Sequence, residues 1–125
     1  MTAPHEPGTG GAPVRRFKDP AYQPQANTLG ELRERIDVLD AQIVALMAQR
    51  ALCVRDATRF KLDEFQVAAP ARQAQVFARV RELATAHEPH FPGLPDIVES
   101  AYRALVAGFI AGEGRFFHDT ERLTP

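Results

Sequence analysis

From Thr28 to Gln66 the chain contains no proline and a single early glycine, Gly30. Its apolar residues recur at helical spacing: Leu32, Ile36, Leu39, Ile43, Leu46, Met47, Val54 and Ala57. The stretch opens on Thr28-Leu-Gly-Glu31, a capping box whose hydroxyl and carboxylate satisfy the first orphan N–H groups of a helix. The pattern predicts one helix from residue 29 to residue 62. At about 1.5 Å per residue it would be roughly 50 Å long, while a compact domain of this chain length has a radius of gyration of only about 14 Å. A straight helix of that length outruns its own globule, so another chain must cover part of its apolar stripe.

The residues on that stripe carry more information than its length. At about 100° per residue with Leu32 as origin, the eight apolar positions fall within roughly 60° of one another's centre, Arg50 at about 0° and Lys61 at about 20°. Two cations on a face meant for burial require an anion, because an unpaired buried charge costs several kcal/mol. Arg33 lies about 100° from the stripe and some 25 Å from Arg50 along the axis, too far to share one small site on the same helix. It is placed to reach a second subunit's site if the long helices pair.

Composition restricts the function classes. One domain is expected from 125 residues, and 15 basic against 16 acidic side chains give a net charge of −1, which does not suggest nucleic acid. The single Cys53 cannot form an internal disulfide, which fits a reducing, cytoplasmic setting. No apolar run is long enough to span a membrane. Arg15-Arg16-Phe17-Lys18 has the look of a twin-arginine export signal, but Asp19-Pro20 follows where an apolar segment is needed, so no export is expected.

Residues 1–27 hold five of the ten prolines and three of the eight glycines, and are expected to be a disordered tail, or else a short arm folded over the body through Phe17 and Tyr22. The helical domain is expected over 28–118, with 119–125 as a C-terminal tail. After a loop at 65–69, Pro70 suits the first position of a helix over 70–86 carrying Val76, Val80 and Leu83, toward which Arg72 leans. His87 and His90 are three apart, but Pro89 between them spoils a helical ligand pair, and no metal site is expected.

A third helix is expected from Pro95 to Phe117, with Ile97, Ala101, Leu105, Phe109, Ile110, Phe116 and Phe117 on one broad face and Glu113 inside it. A carboxyl there is costly unless paired or protonated. Gly108, Gly112 and Gly114 weaken the helix by roughly 0.8–1 kcal/mol each relative to alanine, which suggests close packing or close ligand approach. The fold class is therefore all-α: three helices, the first very long. There is no phosphate loop, nucleophile elbow or CxxC motif. Arg50, Lys61, Arg72 and Glu113 remain as inward-facing polar groups in an apolar body.

Leu32-Arg33-Glu-Arg-Ile36-Asp-x-Leu39-Asp40, then Arg50 and Arg59-Phe60-Lys61 on one long helix, resembles the all-helical chorismate mutases and their relatives the isochorismate-pyruvate lyases, over residues 29–117 in order. The resemblance implies an intertwined homodimer whose long helices span both subunits. It implies that Arg50 and Lys61 hold the substrate carboxylate and ether oxygen, that Arg72 lies at the pocket, and that Arg33 enters the other subunit's site. Glu113 falls where bacterial members have glutamine and fungal and plant mutases have glutamate, and its carboxyl donates to the ether oxygen only when protonated. No cofactor is implied.

Two departures from the mutase pattern point toward the lyases: Ala69 and Gln73 stand where acidic residues meet the substrate hydroxyl, and Phe109 replaces a small hydroxyl residue. The leading expectation is a chorismate mutase. The runner-up is an isochorismate-pyruvate lyase releasing salicylate and pyruvate, and the non-enzymatic alternative is a helical dimerisation module in which Arg50, Lys61 and Glu113 neutralise one another.

Overall fold

A computed structural model describes residues 3–123; residues 1–2 and 124–125, the outer ends of the two expected tails, lie outside the described residues. The chain is all-helical, without a strand among the described residues. Helix α1 spans Leu29–Ala57 and passes into a 3-10 turn at Thr58–Phe60. Short α2 spans Glu64–Ala68, α3 Pro70–Thr85 and α4 Leu94–His118, with a 3-10 turn at Glu88–His90 between the last two. The chain divides within α1 into two compact units, Met1–Ala48 and Gln49–Pro125.

In the first unit the capping box forms with one shift in register. Thr28 Oγ1 accepts from the Glu31 N–H at 3.1 Å, while the Glu31 carboxylate accepts from the N–H of Asn27, one residue before the hydroxyl, at 3.0 Å. Residues 3–27 contain no helix. Thr9 nevertheless accepts the Gly30 N–H at 2.9 Å, and a Cβ at position 30 would stand 3.1 Å from that oxygen, a tight contact that glycine avoids. Arg35 donates to the Gln25 carbonyl, and the Phe17 and Tyr22 rings pack on each other at 4.4 Å between centroids. The apolar stripe of α1 is uncovered: Ile36, Leu39, Ile43 and Leu46 are 48–62% exposed, and no residue of α1 is buried.

In the second unit α3 and α2 both pack on α4, as does the Thr58–Phe60 turn. The apolar core is small, comprising Val67, Val80, Ala84 and Val106, with Thr58 and Glu113 buried beside it. Arg81 on α3 donates to Asp96 at 2.7 Å and to Glu99 at 3.4 Å on α4. Arg103 donates to Glu99 at 2.9 Å, and this hydrogen bond is the main cause that holds the Glu99 carboxyl below its ordinary range. Gly93, at φ 89°, caps the start of α4 in the left-handed region that glycine reaches without strain.

Two expectations need correction. The α-helical part of the first helix stops at Ala57 and a 3-10 turn carries it to Phe60, just short of the expected end at about residue 62: the Lys61 N–H bonds to the Thr58 carbonyl at 3.1 Å, tightening the last turn, and Lys61 itself is extended at φ −101°, ψ 136°. The three α4 glycines also do not mark close packing within the chain. A Cβ at Gly108 or Gly114 would meet nothing within 4 Å, and one at Gly112 only the far end of Arg115 at 3.7 Å.

Candidate active site

A cavity of about 300 Å³ opens inside the second unit. The last turns of α1 contribute Arg50, Cys53, Val54 and Ala57; the segment after it contributes Lys61; α2, α3 and their junction contribute Val67, Ala69, Arg72 and Gln73; and α4 contributes Val106, Phe109, Ile110 and Glu113. An apolar lining with a few converging polar groups has the composition of a small-molecule pocket.

Arg50 reaches the cavity as helical phase predicts. It lies 5.4 Å from the Phe109 ring centroid and 5.9 Å from that of Tyr102, within the range of cation–π attraction. No carboxylate stands within ion-pair distance of it among the described residues, so its donors are free to meet an anion. Lys61 arrives by a different route. Because the helix has already ended, an extended backbone delivers it, and its Nζ donates to the Gln66 carbonyl at 2.9 Å.

Glu113 is the deepest of the four, only 5% exposed. Its Oε2 lies 3.7 Å from Lys61 Nζ, an ion-pair separation too long for a hydrogen bond, and that oxygen is buried with no hydrogen-bond partner. Burial pushes the carboxyl above its ordinary 4.5, and Lys61 opposes the shift without cancelling it. An acid displaced upward in this way is poised to stay protonated and donate at milder pH than a surface glutamate.

Arg72 is exposed on α3 yet lines the cavity, which places a third cation at its open side. The structure thus brings Arg50, Lys61, Arg72 and Glu113 around one volume. Arg33 lies exposed on the α1 segment of the first unit and is not among the lining residues.

Ala69 and Gln73 form a neutral wall. Ala69 adopts the left-handed conformation, φ 45°, ψ 61°, closing α2 and opening α3. The Gln73 amide donates to the Ala68 carbonyl at 2.6 Å, leaving its oxygen for the cavity. Sequence reading missed Gln66, Tyr102 and the cavity-lining Cys53. Gln66 was legible, since Asp63-Glu-Phe-Gln66 follows the capping-box spacing, and Asp63 Oδ1 does accept the Gln66 N–H at 2.9 Å. Cys53 was legible too, since it falls about 60° from the stripe centre on the same helix as Arg50; Tyr102 had no such signal.

No curated protein sequence matches the chain. A family model described as Chorismate mutase type II matches residues 32–114, which covers most of α1 and all of α2 and α3, and runs through Glu113. The match extends over well more than half of the chain, and with the all-helical fold it establishes that this protein belongs to the type II chorismate mutase family.

Proposed function

We propose that the protein is a chorismate mutase, an isomerase that converts chorismate to prephenate, with residues 28–118 as its functional domain. The observation that carries this reading is Glu113 in the lining of a small cavity that it shares with Arg50, Lys61 and Arg72, with its buried Oε2 lacking a hydrogen-bond partner. Chorismate is a dianion, and its rearrangement is pericyclic. It needs a compact conformer and stabilisation of negative charge developing on the ether oxygen, rather than a nucleophile or general base.

In this reading Arg50 and Lys61 bind a carboxylate and the ether oxygen, and Arg72 adds positive charge at the cavity mouth. The protonated Glu113 donates to the ether oxygen as the carbon–oxygen bond breaks. Fixed donors in a largely apolar cavity are worth more than the same groups in water, since solvent dipoles do not compete for the developing charge. The aliphatic walls from Val54, Val106 and Ile110 favour the folded conformer by excluding water from its reacting carbons.

The uncovered stripe of α1 supports a homodimer in which the long helices pack along one another and Arg33 of each subunit serves the other's site. The lone cysteine and near-neutral charge suit a cytoplasmic enzyme. Among the described residues no helix is long and apolar enough to cross a membrane.

The neutral wall of Ala69 and Gln73 favours a second reading, an isochorismate-pyruvate lyase acting through the same cations. Incubating the protein separately with chorismate and isochorismate and identifying the products separates the two: prephenate supports the mutase, salicylate with pyruvate the lyase. If neither substrate is consumed and neither raises the melting temperature, Lys61 and Glu113 serve as a structural ion pair in a dimerisation module.

A further inference from the structure

We propose that Gln66 is a positioning residue that sets the Lys61 ammonium in the cavity, an inference that rests on the reading of Lys61 as the cation that meets substrate. Lys61 stands on no helix, so helical geometry does not aim it. Its direction is fixed by a ring of hydrogen bonds that converge on Gln66. The Gln66 side-chain oxygen accepts the Leu62 N–H at 2.6 Å, its backbone carbonyl accepts Lys61 Nζ at 2.9 Å, and its own N–H is held by Asp63 Oδ1 at 2.9 Å.

These three bonds close residues 61–66 into a compact loop between the 3-10 turn and α2. The Leu62 tether fixes the backbone next to Lys61, and the Asp63 cap fixes the carbonyl that receives the ammonium. An ammonium has three donors. One is spent on Gln66, which leaves two to face Glu113 and a bound anion. Gln66 thus acts through Lys61, without contacting the cavity itself.

The variant Gln66→Met keeps the side-chain volume and removes the acceptor for Leu62. It is expected to lower kcat/KM on the order of tenfold to a hundredfold, as small displacements of a charge-stabilising group do. In a Lys61→Ala background the same change is expected to add nothing, because residues that act as a unit are not additive. An equal loss in both backgrounds would mark Gln66 as merely structural and overturn the proposal.

A second readout needs no turnover. Lys18, exposed in the N-terminal segment, and Lys61 are the chain's two lysines, so acetylation by an activated ester, mapped by mass spectrometry, gives Lys61 reactivity against an internal control. Gln66→Met is expected to raise the Lys61/Lys18 ratio several-fold as the ammonium leaves its carbonyl. An unchanged ratio overturns the positioning role even if the wild-type protein consumes neither chorismate nor isochorismate, an outcome that by itself defeats only the functional reading. Should Gln66→Met not fold, Asp63→Ala breaks the ring from its other side and carries the same two readouts. Asp63→Asn, which retains a capping oxygen, is expected to restore both.

Discussion

Lys61 Nζ and Glu113 Oε2 stand 3.7 Å apart in the lining of the cavity, close enough to attract and too far to share a hydrogen bond. A substrate oxygen beside the pair, within hydrogen-bond reach of both atoms, would receive a donor from each once Glu113 is protonated. Turnover is therefore expected to be greatest at mildly acidic pH and to fall as the carboxyl ionises. Glu113→Gln donates through its amide at every pH and is expected to hold its rate through neutrality. A wild-type profile flat from about pH 5 to 8 would remove Glu113 from the catalytic list.

The same group leaves a signature in stability. Burial raises its folded-state pKa above the ordinary 4.5, so between the two values the folded protein binds more protons than the unfolded chain. Its contribution is fully present below 4.5 and is lost as pH rises through the folded value. The melting temperature of the wild type is expected to decline over that window relative to Glu113→Gln, as scanning calorimetry at a series of pH values can measure.

Arg50→Ala and Lys61→Ala are each expected to lose transition-state stabilisation of about 3–4 kcal/mol, some hundredfold or more in kcat. Folding should respond far less, since Arg50 is held by ring faces, and Lys61 by a carbonyl and a long ion pair to Glu113, whose carboxyl can take up a proton when the ammonium is removed. Near-full turnover in either variant would show that the pocket has been misassigned.

A charge on the uncovered face of α1 tests the dimer. Ile43 is 48% exposed in the single chain, and Ile43→Asp is expected to convert the protein to monomer in sedimentation velocity, with activity falling alongside if Arg33 serves the second site. Wild-type protein that sediments as a monomer at micromolar concentration would refute the pairing.

Gly108→Ala introduces a Cβ that meets nothing within 4 Å, so the full propensity gain of about 0.8–1 kcal/mol is expected in urea denaturation. A loss instead would reveal that a second subunit covers this face of α4.

Arg50 and Glu113 were legible in the sequence because each lies inside a long helix, where phase fixes direction. Lys61 was found for an incomplete reason. The phase argument carried it past Ala57 on a helix that had ended, and its place in the cavity comes instead from the Gln66 loop, whose hydrogen bonds leave no periodic trace. Helix α2 was read as a loop because five residues are too few to show a period, although the Asp63 cap announced it. The α4 glycines were read for packing, yet a glycine's spacing says nothing about what faces it, and Gly108 faces open space. Tyr102 packs against Arg50 across two helices, a relation that periodicity within either one does not contain.

Ala69 ends one helix and begins the next from a left-handed backbone, and the residue types that adopt that conformation at little cost are glycine, asparagine and aspartate. This restriction channels variation at the cavity wall. A valine or isoleucine there would unsettle two helices at once, while an aspartate would keep the backbone and add a carboxylate to a neutral surface. A single substitution at this junction can therefore invert the local charge preference without refolding, which makes position 69 an accessible point for the site's ligand selectivity to drift or to be redesigned.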